Sequence, residues 1–171
     1  PGGVVDGKEH DGENEKESLL DERLLVTPAL ALDQSRKVAL EMAATAARAL
    51  KNSVSCFTGY TPALAESIRR DENECDKYED ILGSYLVKLT GQELSSKQNE
   101  DASKFLHTIS DFERISDHAL NIAQTAKEMR EKSIVFSDDA LRELAVLESA
   151  LAEIVHITVN AFIRNDLSLA S

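Results

Sequence analysis

The sequence predicts an all-α fold, an elongated antiparallel three-helix bundle followed by a fourth long helix. Three observations predict it. The 171 residues include seven glycines, three prolines and no tryptophan, and they are rich in Ala, Leu, Glu, Asp and Ser, a balance that favours helix over sheet. Apolar residues recur three and four positions apart over long stretches, and no run of note alternates as a half-buried strand does. Serine and threonine caps, two of them followed by proline, punctuate those stretches.

The elements follow in order. Residues 1–18 are acidic and glycine-rich without apolar periodicity, which predicts a disordered linker. Order is expected to begin near Leu19–Leu25. Thr27-Pro28 is a helix start, and the first helix carries Leu40, Ala43, Ala47, Leu50, Val54 and Phe57 at helical spacing to about Phe57. Thr61-Pro62 repeats the signal. The second helix has the seam Leu64, Ile68, Asp71, Cys75, Tyr78, Leu82, Tyr85 and Leu89, broken only by Asp71, and Gly91 is its expected stop. Ser95-Ser96 caps a third helix with the seam Phe105, Ile109, Phe112, Ser116, Ala119, Ala123 and Ala126, ending near Lys132. Ser137 with Asp138 and Asp139 starts a fourth helix that runs to about Asn165, its acids placed at the positive end of the helix dipole.

Long helices with short connections lie antiparallel beside their neighbours. Leu50, Val54 and Phe57 match Val155, Val159 and Phe162, so helix four resembles helix one. The expected organisation is a linker (1–18), a three-helix bundle (19–133) and a fourth helix (134–171) that starts a second, truncated repeat. Helix four is expected either to pack back on the bundle or to pair with a second copy as a homodimer.

The net charge of −12 argues against nucleic acid as a partner and suits cations or basic surfaces. Cys56 and Cys75 form no C-x-x-C pair and indicate neither a disulfide framework nor a zinc knuckle; Cys75, on the seam, is expected to be a buried free thiol. No run is expected to reach the roughly 18–20 apolar residues that span a bilayer. The chain starts at Pro1 without methionine, which suggests an excised domain. No nucleophile elbow, phosphate-cradling loop or catalytic triad is present, and no enzymatic activity is expected.

Two E-x-x-x-D pairs carry the chemistry: Glu72 with Asp76, and Glu113 with Asp117. Residues four apart share a helix face, and each pair sits one position past a seam residue. If helices two and three are adjacent, four carboxylates converge, and such a group repels itself unless protonated or neutralised by a cation. Oxygen donors suit Mg²⁺, Ca²⁺, Mn²⁺ or iron. Glu79 and Asn121 lie one turn farther along the same stripes. The plainer reading is a solvated acidic face. Glu153-x-x-His156 is a lone half of a di-iron pattern that needs two, and His156 is expected to be a partly buried helix residue, with His107 at a rim and His10 in the tail.

The stretch DFERISDHALNIA, residues 111–123, resembles the fingerprint of the PhoU family of phosphate-transport regulators through Asp111, Glu113, Arg114, Ile115, Asp117, His118, Asn121, Ile122 and Ala123. Glu72 and Asp76, with Tyr85-Leu86 and Leu89-Thr90, resemble the family's second-helix pattern. LDERLLVTPALALD, residues 20–33, is similar to the lead-in of the PhoU-like cytoplasmic tails of bacterial Na⁺/phosphate symporters.

The resemblance implies metal binding, iron, zinc or magnesium among the candidates, at Glu72, Asp76, Glu113 and Asp117. It implies a regulatory role through contact with a transporter's membrane domain, in the same polypeptide or in a complex, at the cytoplasmic face of the membrane. The family's usual glycine is Ser116 here, whose hydroxyl either loosens the helix contact or bonds within its own helix. The alternatives are a metal-free structural or oligomerisation bundle and, farther off, a ferritin-like oxidase lacking its second Glu-x-x-His.

Overall fold

The structure, a computed structural model, describes residues 20–164, with side chains through Phe162. The expected linker at 1–18 and the chain from 165 to 171 lie outside the described residues. A 3-10 helical turn, Glu22–Val26, leads into four helices: α1 Pro28–Gly59, α2 Pro62–Thr90, α3 Ser96–Glu131 and α4 Asp138–Arg164. This is the all-α bundle with a fourth helix that the sequence predicts, and the described residues contain no strand.

The boundary chemistry is local. Thr61 caps α2 by accepting from the Leu64 N–H, with Pro62 in its first turn. Ser95 and Gln98 form a reciprocal capping box on α3. Ser137 Oγ accepts from the Ala140 N–H at the start of α4. Thr27 departs from expectation. It holds the cap position, but its side chain accepts no capping bond; its own N–H donates to Leu24 O and closes the 3-10 turn. The end of α3 has a feature the sequence did not signal. Ser133 has φ 54°, and the Ile134 N–H donates back to Met129 O, a left-handed helix stop made without glycine.

Helices α1, α2 and α3 pack pairwise around two buried apolar clusters, one about Met42, Leu82 and Ile109 and one about Ala49, Ile68 and Ala123, while α4 packs mainly on α1. Arg48 reaches Asp71, Met42 O lies by Cys75, and Glu41 meets Tyr78, so α2 climbs as α1 descends. The α2 seam is as expected: Ile68, Cys75, Tyr78, Leu82, Tyr85 and Leu89 are buried, joined by Leu86, with Leu64 half-buried. All seven α3 seam residues are buried. On α1 the expected stripe needs correction. Ala39, Met42, Ala46, Ala49, Ser53 and Cys56 form the deep face with Ala43 and Val54, whereas Leu40, Ala47, Leu50 and Phe57 are half-buried at its flank. Alanine, not leucine, lines the tightest contact because helix axes come closest over small side chains.

α4 is fixed at both ends by rings. Phe162 packs edge-on against Phe105 and Phe112, at centroid distances of 5.8 and 5.7 Å, and Arg36 lies over Phe105 and Phe162 and donates to Phe162 O. At the other end Phe136 meets Phe57 edge-on at 5.7 Å. The two expected fates of α4 are not exclusive within one chain. One face packs back on α1, while Val146, Leu147 and Ile154 remain 70, 54 and 59% exposed. The expectation that no segment is apolar enough to span a bilayer is also corrected. By length and composition alone, Asp138–Phe162 qualifies, because an 18-residue window within it has a mean hydropathy of 1.4 and no more than two charged residues.

Candidate functional site: the carboxylate face of α2 and α3

Both E-x-x-x-D pairs emerge beside the packed α2–α3 contact. Ser116, fully buried, sits against the Cys75 thiol, so a small residue lies where the two helices meet. Its hydroxyl donates to Glu113 O at 2.7 Å, within its own helix, which is the second of the two expected outcomes. Cys75 also lies 3.9 Å from Met42 O, and burial foremost pushes its thiol up to about 11. Both cysteines are free and buried, as expected for Cys75.

One position outward from this contact the acids face one another. Glu72 is half-buried, and its carboxyl is pushed above the ordinary range by burial first, then by the charges of Asp76, Asp117 and Glu113. Glu113, also half-buried, is raised by burial and then by Glu79, Asp76 and Asp117, with Arg114 opposing. Asp76, though exposed, is raised by residual desolvation and by Asp80 and Asp117. Arg114 leans instead to Asp111, 3.8 Å away. Asn121 donates to Asp117 at 3.4 Å, and Glu79 joins the acidic field, so both secondary residues of the stripes belong to the face.

Thus the two pairs share one electrostatic field across two helices. They do not form a ligand shell as their side chains rest: among the described residues, no three His, Cys, Asp or Glu side chains stand together closely enough to hold one ion. The donor chemistry fits a hard cation; the resting geometry is open. Glu153 and His156 form no part of it. His156 is exposed, not partly buried, and its ring nitrogen pairs with Asn160 at 2.9 Å. His107 is exposed, consistent with a rim position.

The residue whose partner the sequence did not show is Asp71. It interrupts the apolar α2 seam yet is buried, and Arg48 of α1 donates to both its oxygens, at 3.1 and 2.8 Å. Those hydrogen bonds hold the Arg48 guanidinium above its usual range. Asp71 is therefore a structural clasp between α1 and α2, adjacent in sequence to Glu72 but turned inward.

Fold and face together define a helical bundle that bears carboxylates on one face. The chain belongs to the PhoU family: the PhoU domain matches residues 39–126, which take in α2, both acid pairs and most of α1 and α3. No curated protein and no solved structure matches it.

Proposed function

We propose that this bundle is a regulatory module of phosphate transport that acts by contact with a transporter's membrane domain at the cytoplasmic face of the membrane, as the tail of a Na⁺/phosphate symporter or a partner in a complex. Family membership across the span that bears both acid pairs carries the reading. No catalytic role is part of it.

The carboxylate face is the sensing element in this proposal. Glu72, Asp76, Glu113 and Asp117 offer only oxygen donors, and three of the four are already shifted toward protonation. A divalent or trivalent cation, with magnesium, iron or zinc as candidates, relieves the same repulsion that protons relieve, and closing the shell requires side-chain rotation. Elemental analysis of the purified chain, with thermal melts in Mg²⁺, Mn²⁺, Fe³⁺ and Zn²⁺, tests this. Bound metal should fall when Glu113→Ala and Asp117→Ala are combined. Unchanged metal content in that variant removes the site. For the regulatory role, phosphate uptake by cells carrying the full transporter should respond to the same double substitution; no change in uptake removes that role.

A second reading, a metal-free oligomerisation bundle, is favoured by the exposed apolar residues of α4. It predicts a concentration-dependent dimer in light scattering that is indifferent to a chelator.

A further inference from the structure

α4 packs on α1 with a ring contact near each of its ends, and the two helices leave a gap along part of their contact. The gap is a groove of about 410 Å³. Ala47, Leu50 and Val54 face Leu151, Val155 and Val159 across it. The groove is open to solvent along its mouth, and its volume lies in the range of small-molecule pockets.

The chemistry of the walls narrows the occupant. The six facing residues are aliphatic and offer no side-chain hydrogen-bonding atom, so a ligand with polar atoms along its length would lose their hydration without compensation. The groove follows α1 from Ala44 to Val54, about ten residues and therefore roughly 15 Å of helix, a shape for a linear chain. Its mouth is held open by exposed Ala44 and Ala152. Around that mouth stand Arg48, Lys51 and His156, with Glu148 as the one acid lining the groove. With Glu148 in the groove and Asp71 engaging Arg48 from behind, the two cations make the mouth locally neutral in a chain of net charge −12.

We propose that the α1–α4 groove binds a free long-chain fatty-acid anion, its alkyl chain between Leu50, Val54 and Val155 and its carboxylate over Lys51 and Arg48. The groove is separate from the carboxylate face, and the proposal does not depend on the transport reading. Occupation fills the space beneath α4, so it ties the loosest helix to α1 and stabilises the folded chain by mass action.

The test uses 11-(dansylamino)undecanoic acid as a fluorescent probe on the full chain, below micellar concentrations, with dodecanoate and dodecylammonium as competitors. Saturable one-to-one binding displaced by dodecanoate and not by dodecylammonium is expected. Ala47→Phe, which fills the groove from α1, should abolish it, and Lys51→Glu should weaken it about tenfold, the effect of roughly 1.4 kcal/mol. Should Ala47→Phe lose helical signal, Ala152→Phe from the opposite wall provides the same reading. No saturable binding, equal displacement by the cationic amphiphile, or full binding by a folded groove-filled variant overturns the proposal. So does loss of binding in Leu147→Ser/Ile154→Ser, because that would place the probe on the outer face of α4.

Discussion

Removing Arg48 should destabilise the bundle through the charge it leaves behind, not through the contact it deletes. The Asp71 side chain is only 10% exposed, and Arg48 donates to both its carboxylate oxygens. Stripping the partner from a fully buried ion costs about 3–5 kcal/mol. Here the Arg48 side chain is 53% exposed, so truncation opens a path for water to Asp71 and the cost falls to about 1–3 kcal/mol. With a urea dependence of about 2 kcal/mol per molar, Arg48→Ala should lower the unfolding midpoint by about 1 M, read by circular dichroism with the slope unchanged. The diagnostic step is the second substitution. Asp71→Asn in the Arg48→Ala background removes the orphan charge at nearly constant volume and should recover about half the loss. If Arg48→Ala costs under about 0.5 kcal/mol, or if adding Asp71→Asn recovers nothing, the clasp is packing alone and the electrostatic account fails.

Three other substitutions probe the helix stop, the helix contact and the acidic face. Ser133→Gly should raise stability by about 0.5 kcal/mol in the same urea assay, because glycine adopts the φ of 54° without Cβ strain and loses part of that gain to unfolded-chain entropy. Ser116→Leu should cost about 3 kcal/mol or prevent folding, since the site against Cys75 is fully buried, whereas Ser116→Gly should cost about 0.5 kcal/mol through helix propensity. Glu72→Gln should raise the melting temperature at pH 7. The folded-state pKa of Glu72 lies above its unfolded value, so folding takes up protons and stability declines as pH rises from the ordinary glutamate range, near 4.3, through the raised value. The advantage of the variant should therefore vanish on acidification below that range, and a constant advantage at every pH would contradict the repulsion.

What the sequence disclosed depends on how many neighbours each helix has. α2 and α3 each bury one face, so the residues from Ile68 to Leu89 and from Phe105 to Ala126 announce themselves by spacing. α1 touches α2, α3 and α4, and its buried arc is wide. The large residues Leu40, Leu50 and Phe57 draw attention to its flank, while the deep contact uses Ala39, Ala46, Ala49 and Ser53, which periodicity weights least. Asp71 looked like a break because its partner lies 23 residues away on another helix, and no local pattern encodes such a pairing. The acid pairs were legible to the level of the helix face. Whether four side chains close around an ion is decided by rotamers, which spacing does not record.

The carboxylate face and the helix contact beneath it are one mechanical object. Ser116 and Cys75 bring α2 and α3 close, and that closeness sets Glu72 against Glu113 and Asp117. Charge on the face pushes the helices apart, and whatever neutralises it, protons or a cation, favours their approach. By linkage the relation runs both ways: a partner that draws α2 and α3 together raises the affinity of the face for positive charge. Displacement of α2 would not stay local, since Cys75 rests on Met42 and Asp71 grips Arg48, both on α1. Arg48 also stands at the mouth of the α1–α4 groove. The chain therefore contains a continuous path of packed and ion-paired groups from the acidic face to the loosest helix. Asp71→Asn weakens that path at the clasp while leaving Arg48 at the mouth of the groove and the four acids of the face in place. In the unmodified chain, probe affinity in the groove should shift as the face titrates. If Asp71→Asn keeps the pH dependence of the face and abolishes that shift, the clasp is the link; an unchanged shift in the variant would sink the idea.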